Sequence, residues 1–142
     1  MNLPMTVPGK SRRVRLLVVD DTESVRCTLA ELLSQEGYEV EIAADAKEAL
    51  ELARLVRWDG LVLDIDLPGL NGTELYARIL RHAGRRLPVL FFTGRPDEVL
   101  QLGLGDVPWA RLVPKPCSGP QFLAALEQCL QAGGEAAPAA GE

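Results

Sequence analysis

Apolar residues fall along the chain in short unbroken runs, separated by stretches in which they recur every three or four positions. The runs are VRLLVV (14–19), GLVLDI (60–65), LPVLFFT (87–93) and ARLV (110–113), while YEVEIAA (38–44) alternates. Segments of this length, rich in β-formers and bounded by turn residues, predict strands. The stretch TESVRCTLAELLSQEG places Val25, Leu29, Leu32 and Leu33 at helical spacing and stops at Gly37. DAKEALELARLVR opens with Asp45 and has Glu48 three residues on, a capping box. TELYARILRHA (73–83) is a short amphipathic helix, and DEVLQLGLG (97–105) a weak one cut short by Gly103 and Gly105. A last helix, SGPQFLAALEQCLQAGG, carries Ser118 and Gln121 as a capping box with Pro120 in its first turn.

The predicted order is βαβαβαβαβα. Near-continuous apolar strands alternating with helices predict an α/β fold, a doubly wound five-stranded parallel sheet with helices on both faces. With 142 residues there is room for one domain, placed at 14–131. Residues 1–13 are expected to be a disordered extension. The Ala/Gly/Pro tail, 132–142, has too little apolar surface to order itself.

Composition narrows the function. The net charge of −5 argues against unaided nucleic-acid binding, which normally shows a basic face. No apolar run approaches the roughly 18 residues of a membrane span. The N-terminal segment, with two prolines and no apolar core, does not read as a signal peptide. Cys27, Cys117 and Cys129 are odd in number and lack metal-ligand spacing, so free thiols in a reducing cytoplasm are expected.

In a doubly wound sheet, ligands bind beyond the carboxyl ends of the strands. Asp20 and Asp21 follow the first strand, Asp64 and Asp66 the third, Thr93 and Gly94 the fourth, and Lys115 the fifth. Carboxylates packed on one edge repel and raise one another's pKa. A hard divalent cation relieves this, and Mg²⁺ normally shares its shell with a phosphate. A lysine and a threonine within reach of such a metal make a phosphoryl-transfer site that works by positioning and charge. Taken alone, Asp20 and Asp21 also suit a helix cap.

The pieces VVDD (18–21), LVLDIDLPGLNG (61–72), FFTG (91–94) and PKP (114–116), in this order, resemble the receiver domain of two-component response regulators. The resemblance covers about residues 14–131. It implies strand order 2-1-3-4-5 and a single-domain, phosphorylation-activated switch that catalyses only its own phosphorylation and dephosphorylation. Asp64 would accept a phosphoryl group from a histidine kinase or phosphotransfer protein. Asp20, Asp21, Asp64 and the backbone carbonyl of Asp66 would hold Mg²⁺. Lys115 and Thr93 would meet the acyl phosphate, Gly94 would leave room for one of its oxygens, and Pro68 and Gly72 would shape the loop. Asp66 and Arg95 would border the phosphoryl group, where an ion pair between them is expected. The face of the 97–105 helix, the fifth strand and the last helix would serve an output protein or a homodimer.

Three features depart from that pattern. Leu112 stands at the switch position, three before the lysine, where an aromatic is usual. Cys117 replaces a common phenylalanine, and GLGDVPWA an Ala- and Gly-rich end of the fourth helix. Other readings stay open at this point: a receiver cut from a hybrid kinase or transcription regulator, or a pseudo-receiver that only scaffolds. A haloacid-dehalogenase-like phosphatase would share the DID of residues 64–66 but place it after the first strand. A flavodoxin-like protein would need a phosphate loop where VVDDTES stands. His82, Trp58, Trp109 and the basic RHAGRR (81–86) read as surface or packing residues, the last as a solvated edge.

Overall fold

The computed structural model describes residues 13–94 and 108–135. Five strands, β1 (Arg15–Val19), β2 (Glu39–Ala43), β3 (Gly60–Leu63), β4 (Val89–Thr93) and β5 (Ala110–Pro114), form one sheet in the order β2-β1-β3-β4-β5. Every pairing is parallel, with Val19 beside Leu63 and Thr93 beside Pro114 at the carboxyl edge. This is the doubly wound fold expected. Among the described residues four helices cover it: α1 (Glu23–Gln35), α2 (Ala46–Leu55), α3 (Gly72–Ala83) and α4 (Gly119–Glu135). The helix expected over 97–105 lies outside the described residues, as do the N-terminal extension up to residue 12 and residues 136–142 of the tail.

Strand parity divides the core. Leu17, Val19, Leu61 and Leu63 face one side, with α2 and α3 residues such as Ala49 and Ile79. Leu16, Val18, Val62 and Leu90 face the other, with Leu29 and Leu33 of α1 and Phe122 and Leu126 of α4. The central strands β3 and β4 are buried at every position, whereas β2, an edge strand, is largely exposed. That is why β2 alternates and the central strands do not.

The helix ends are chemically specified. Asp45 accepts from the Glu48 backbone N–H at 2.9 Å, while the Glu48 carboxylate reaches Ala44 N–H instead of Asp45, a variant of the expected box. Ser118 and Gln121 cap α4 reciprocally as read. α1 ends in a Schellman motif: Gly37, at φ +95°, donates to Ser34 and Tyr38 to Leu33. α3 begins with a full capping box between Asn71 and Glu74, a spacing present in NGTE but not singled out above. α4 runs to Glu135, past the boundary set at 131. Its Gly133 is buried, and a Cβ there would stand 2.2 Å from Pro88 Cγ.

The basic cluster corrects the reading of a solvated edge. Arg85 donates to the carbonyl of Trp58, and the Arg86 guanidinium lies 4.3 Å above the Trp109 ring. Trp58 is buried and donates to Leu52 O; Trp109 donates to the Tyr76 hydroxyl, which itself donates to Leu87 O. His82 is exposed.

Burial pushes Tyr38, Tyr76 and Cys129 each up to about 12. In the unfolded chain these groups ionise near about 10 (Tyr) and 8.5 (Cys). The folded state therefore holds its protons longer, and this stabilisation is complete below about pH 8.5 and lost as pH rises toward 12. The urea midpoint is expected to fall between pH 8 and pH 10.5. At pH 8 a thiol reagent should modify exposed Cys27 quickly and buried Cys129 only after denaturation. Equal rates at the two thiols in the folded protein would contradict this.

Candidate functional site

The sheet ladder continues past the strand ends into the site. Asp20 N–H donates to Ala43 O, Asp64 N–H to Val19 O, and Lys115 N–H to Thr93 O at 2.8 Å. The backbones at Asp20, Asp64 and Lys115 are thus held by the same bonds that hold the sheet. Asp20 and Asp64 are 1% and 4% exposed and Thr93 is fully buried, while Asp21 is exposed.

One oxygen each from Asp20, Asp21 and Asp64 lies within 4.8 Å of the others. Lys115 Nζ sits 2.7 Å from Asp20 Oδ2 and 3.5 Å from Asp64 Oδ2. The second oxygen of Asp20 accepts from Thr22 N–H at 2.9 Å, and Asp64 Oδ1 accepts from Asp66 N–H at 3.1 Å. Thr22 is the N-cap of α1 and its side chain makes no cap bond; Asp20 accepts from the Thr22 N–H at the head of the helix with one oxygen, yet the three acids stay clustered. They face each other across the β1–β3 junction.

Burial raises the Asp64 carboxyl above its ordinary range, with the Asp20 charge adding to it; the Asp66 N–H and Lys115 oppose the rise without cancelling it. Burial of Lys115 opposes its charge, but the bonds to Asp20 and Asp64 outweigh this and raise its pKa. Three carboxylates against one ammonium leave an excess of negative charge in a partly desolvated pocket. All the donors are hard oxygens, so the set fits Mg²⁺ better than a soft or nitrogen-preferring metal.

Of the remaining candidates, Asp66 is exposed and its side chain is outside the three-acid cluster. Leu112 is half-buried and packs on the core side that carries α2 and α3. Gly94 is exposed, and a Cβ there would meet nothing within 4 Å. Arg95 lies outside the described residues, and with it the expected ion pair to Asp66.

Two supporting residues were not read beforehand, and a third, Gly72, was expected only to shape the loop. Arg26 Nη1 donates to the Asp20 carbonyl at 2.9 Å, tying α1 to the acidic loop. Phe92 lies under Lys115, with Nζ 5.4 Å from the ring centroid, and packs edge-on against Phe122. Gly72 lies against the Asp64 carbonyl so closely that a Cβ would stand 2.3 Å from its oxygen. Helical spacing places Arg26 on the turn after Thr22; the Gly72 contact closes the loop between β3 and α3, while the Lys115–Phe92 contact joins the ends of β4 and β5 and carries no local signal.

The sequence profile described as the response regulator receiver domain matches residues 16–127. Response regulator MprA of Mycolicibacterium vanbaalenii is 42% identical over 119 residues, covering 83% of this chain and 51% of the relative. The chain thus spans about half the length of the curated relatives it matches. Among solved structures, the non-phosphorylated HemR receiver domain from Leptospira biflexa superposes with a TM-score of 0.71 at 35% identity, over 83% of this chain and 94% of that one. The chemotaxis protein CheY4 of Vibrio cholerae superposes with a TM-score of 0.72 at 28% identity, over 82% and 98%. The acidic edge sits on the same fold as these relatives and within the matched stretch, and the chain belongs to the response regulator receiver domain family of two-component signalling.

Proposed function

We propose that Asp64 is the phosphoacceptor of a Mg²⁺-dependent signalling switch, charged by a phosphohistidine on a partner histidine kinase or phosphotransfer protein. The observation that carries this reading is the approach of three carboxylate oxygens to within 4.8 Å of one another beside a lysine that contacts two of them. Asp64 attacks phosphorus through a carboxylate oxygen; the P–N bond breaks and its electron pair leaves with the imidazole. Lys115, already shared between Asp20 and Asp64, pairs with a phosphoryl oxygen as the charge on Asp64 moves outward. The Thr93 hydroxyl donates to another such oxygen. Asp20, Asp21, Asp64 and the backbone carbonyl of Asp66 would hold Mg²⁺, which supplies positive charge to the phosphoryl oxygens. Return to the resting state is hydrolysis of the acyl phosphate to Asp64 and inorganic phosphate. The chain acts on itself and turns over no other substrate in this scheme. The described residues contain no helix long and apolar enough to cross a membrane, and a cytoplasmic site of action is part of the proposal.

The metal requirement is tested by incubating the protein with a small phosphodonor and following the acyl-phosphate mass gain. Labelling is expected with Mg²⁺, to be lost with EDTA, and to fall at least about tenfold in Asp21→Ala. The melting temperature should rise on adding Mg²⁺ to the parent and not to Asp21→Ala. Full labelling in EDTA would overturn the metal assignment.

Leu112 lacks a ring to fill space vacated by Thr93. We therefore expect phosphorylation to alter amide exchange on β5 little, and less than around Asp64 and Thr93. A large protection change centred on Leu112 would rule this out.

A further inference from the structure

Beside the acidic edge, α2, α3 and the loop leaving β3 enclose an open groove of about 430 Å³. Leu50 and Leu70 line it, and both are half-buried hydrophobics at the margin of the core. Three exposed basic residues, Lys47, Arg54 and Arg78, also line it, against one acid, Glu51. Among the described residues none of the three basic side chains has an acidic partner. A net positive groove on a chain of net charge −5 is a local reversal of sign. Leu55, next after Arg54, is 74% exposed, the most exposed large hydrophobic among the described residues.

The groove is not part of the acidic cluster but shares a segment with it. Its wall at Pro68 and Leu70 belongs to the loop that starts at Asp64, and the loop is tied back by Gly72 N–H donating to Ile65 O. A partner seated in the groove therefore rests on the loop that carries Asp66.

We propose that this groove docks an acidic, amphipathic peptide segment of a partner protein. An apolar residue of the peptide enters between Leu50 and Leu70, and its carboxylates meet Lys47, Arg54 and Arg78. Unpaired cations around an apolar floor favour this occupant: charge selects and orients, while the anchor supplies desolvation. A basic peptide would meet like charge, and a purely apolar one would leave the cations unused. The binding does not depend on phosphoryl chemistry at Asp64, so its test is independent of the reading above.

The test is an amide chemical-shift titration of the full chain with a synthetic, end-blocked amphipathic peptide of Asp, Glu, Leu and Phe. The expected result is saturable shifts confined to α2, the 65–71 loop and α3. Binding should weaken about tenfold or more in Arg54→Glu/Arg78→Glu, whose retained fold is checked by its amide spectrum; a small fall in melting temperature is expected, since Arg54 lies in the last turn of α2. The same double variant should gain affinity for a peptide with Lys in place of Asp and Glu. Shifts that map elsewhere, or parent affinity in the double variant, overturn the proposal. So does equal binding at the same residues by a peptide with Ser for Leu and Phe, by duplex DNA or by anionic vesicles, since each would show a surface that accepts any polyanion.

Discussion

Asp64→Asn is expected to abolish phosphoryl labelling while leaving the fold intact, and to melt at a higher temperature than the parent when Mg²⁺ is absent. Both results follow from one charge. The carboxylate is the nucleophile, and an amide oxygen at the same place cannot form a stable acyl phosphate. Asn keeps the shape and can still accept from Asp66 N–H, so the loop bond survives. The stability change has the opposite sign from the functional one. Burial and Asp20 raise the Asp64 pKa, so the folded state holds that proton more tightly than the unfolded chain. Its contribution is present at low pH and lost as pH rises through the raised value, leaving an unfavourable charge at neutral pH. A neutral side chain removes that charge. The parent's label should be released by hydroxylamine, as an acyl phosphate is. Undiminished labelling of the variant places the acceptor elsewhere, and an unchanged or lower melting temperature without metal contradicts the repulsion argument.

Gly72→Ala is expected to destabilise the protein by about 1–3 kcal/mol, the usual range for overpacking. Two effects compete. Replacing glycine by alanine within a helix ordinarily gains about 0.5–1 kcal/mol. Here the added Cβ would stand 2.3 Å from the Asp64 carbonyl oxygen and 3.0 Å from Asp64 C and Ile65 Cα. All three are backbone atoms, and the N–H of Asp64 is bonded into the sheet at Val19. Neither side gives way without breaking a bond, so the clash prevails. Either α3 moves out, or Asp64 moves and phosphorylation slows with the loss of stability. Gly119→Ala in the first turn of α4 is the control: its Cβ would meet only Leu32 at 3.7 Å, an ordinary contact, and should be neutral or slightly stabilising. Chemical denaturation of both variants decides the matter, and parent-like stability in Gly72→Ala would show that the close approach carries no energy.

The order of elements was legible in the sequence because each helix and strand announces itself locally. The four-residue apolar run of β3 and the alternation of β2 reflect how many faces each strand buries, and parity along a strand then assigns Leu17 and Leu16 to opposite core layers. The acidic residues were found because each stands within three residues of a strand end, and strand ends in a parallel sheet share an edge. Their mutual distances were not in the sequence. Strand order 2-1-3-4-5 came with the resemblance to receiver domains, and only the β1–β3 pairing puts Asp20 beside Asp64. The same holds for Arg85 and Arg86, which look like solvated charges in RHAGRR until Trp58 and Trp109 arrive from distant parts of the chain. Local patterning is written by side-chain spacing, capping residues and turn residues, all short-ranged in sequence, so the sequence by itself determined the elements, their faces and the chemistry at their ends. Which carboxylate meets the lysine, and which cation meets which aromatic ring, depends on contacts between segments far apart in the chain, and only the tertiary structure decided those.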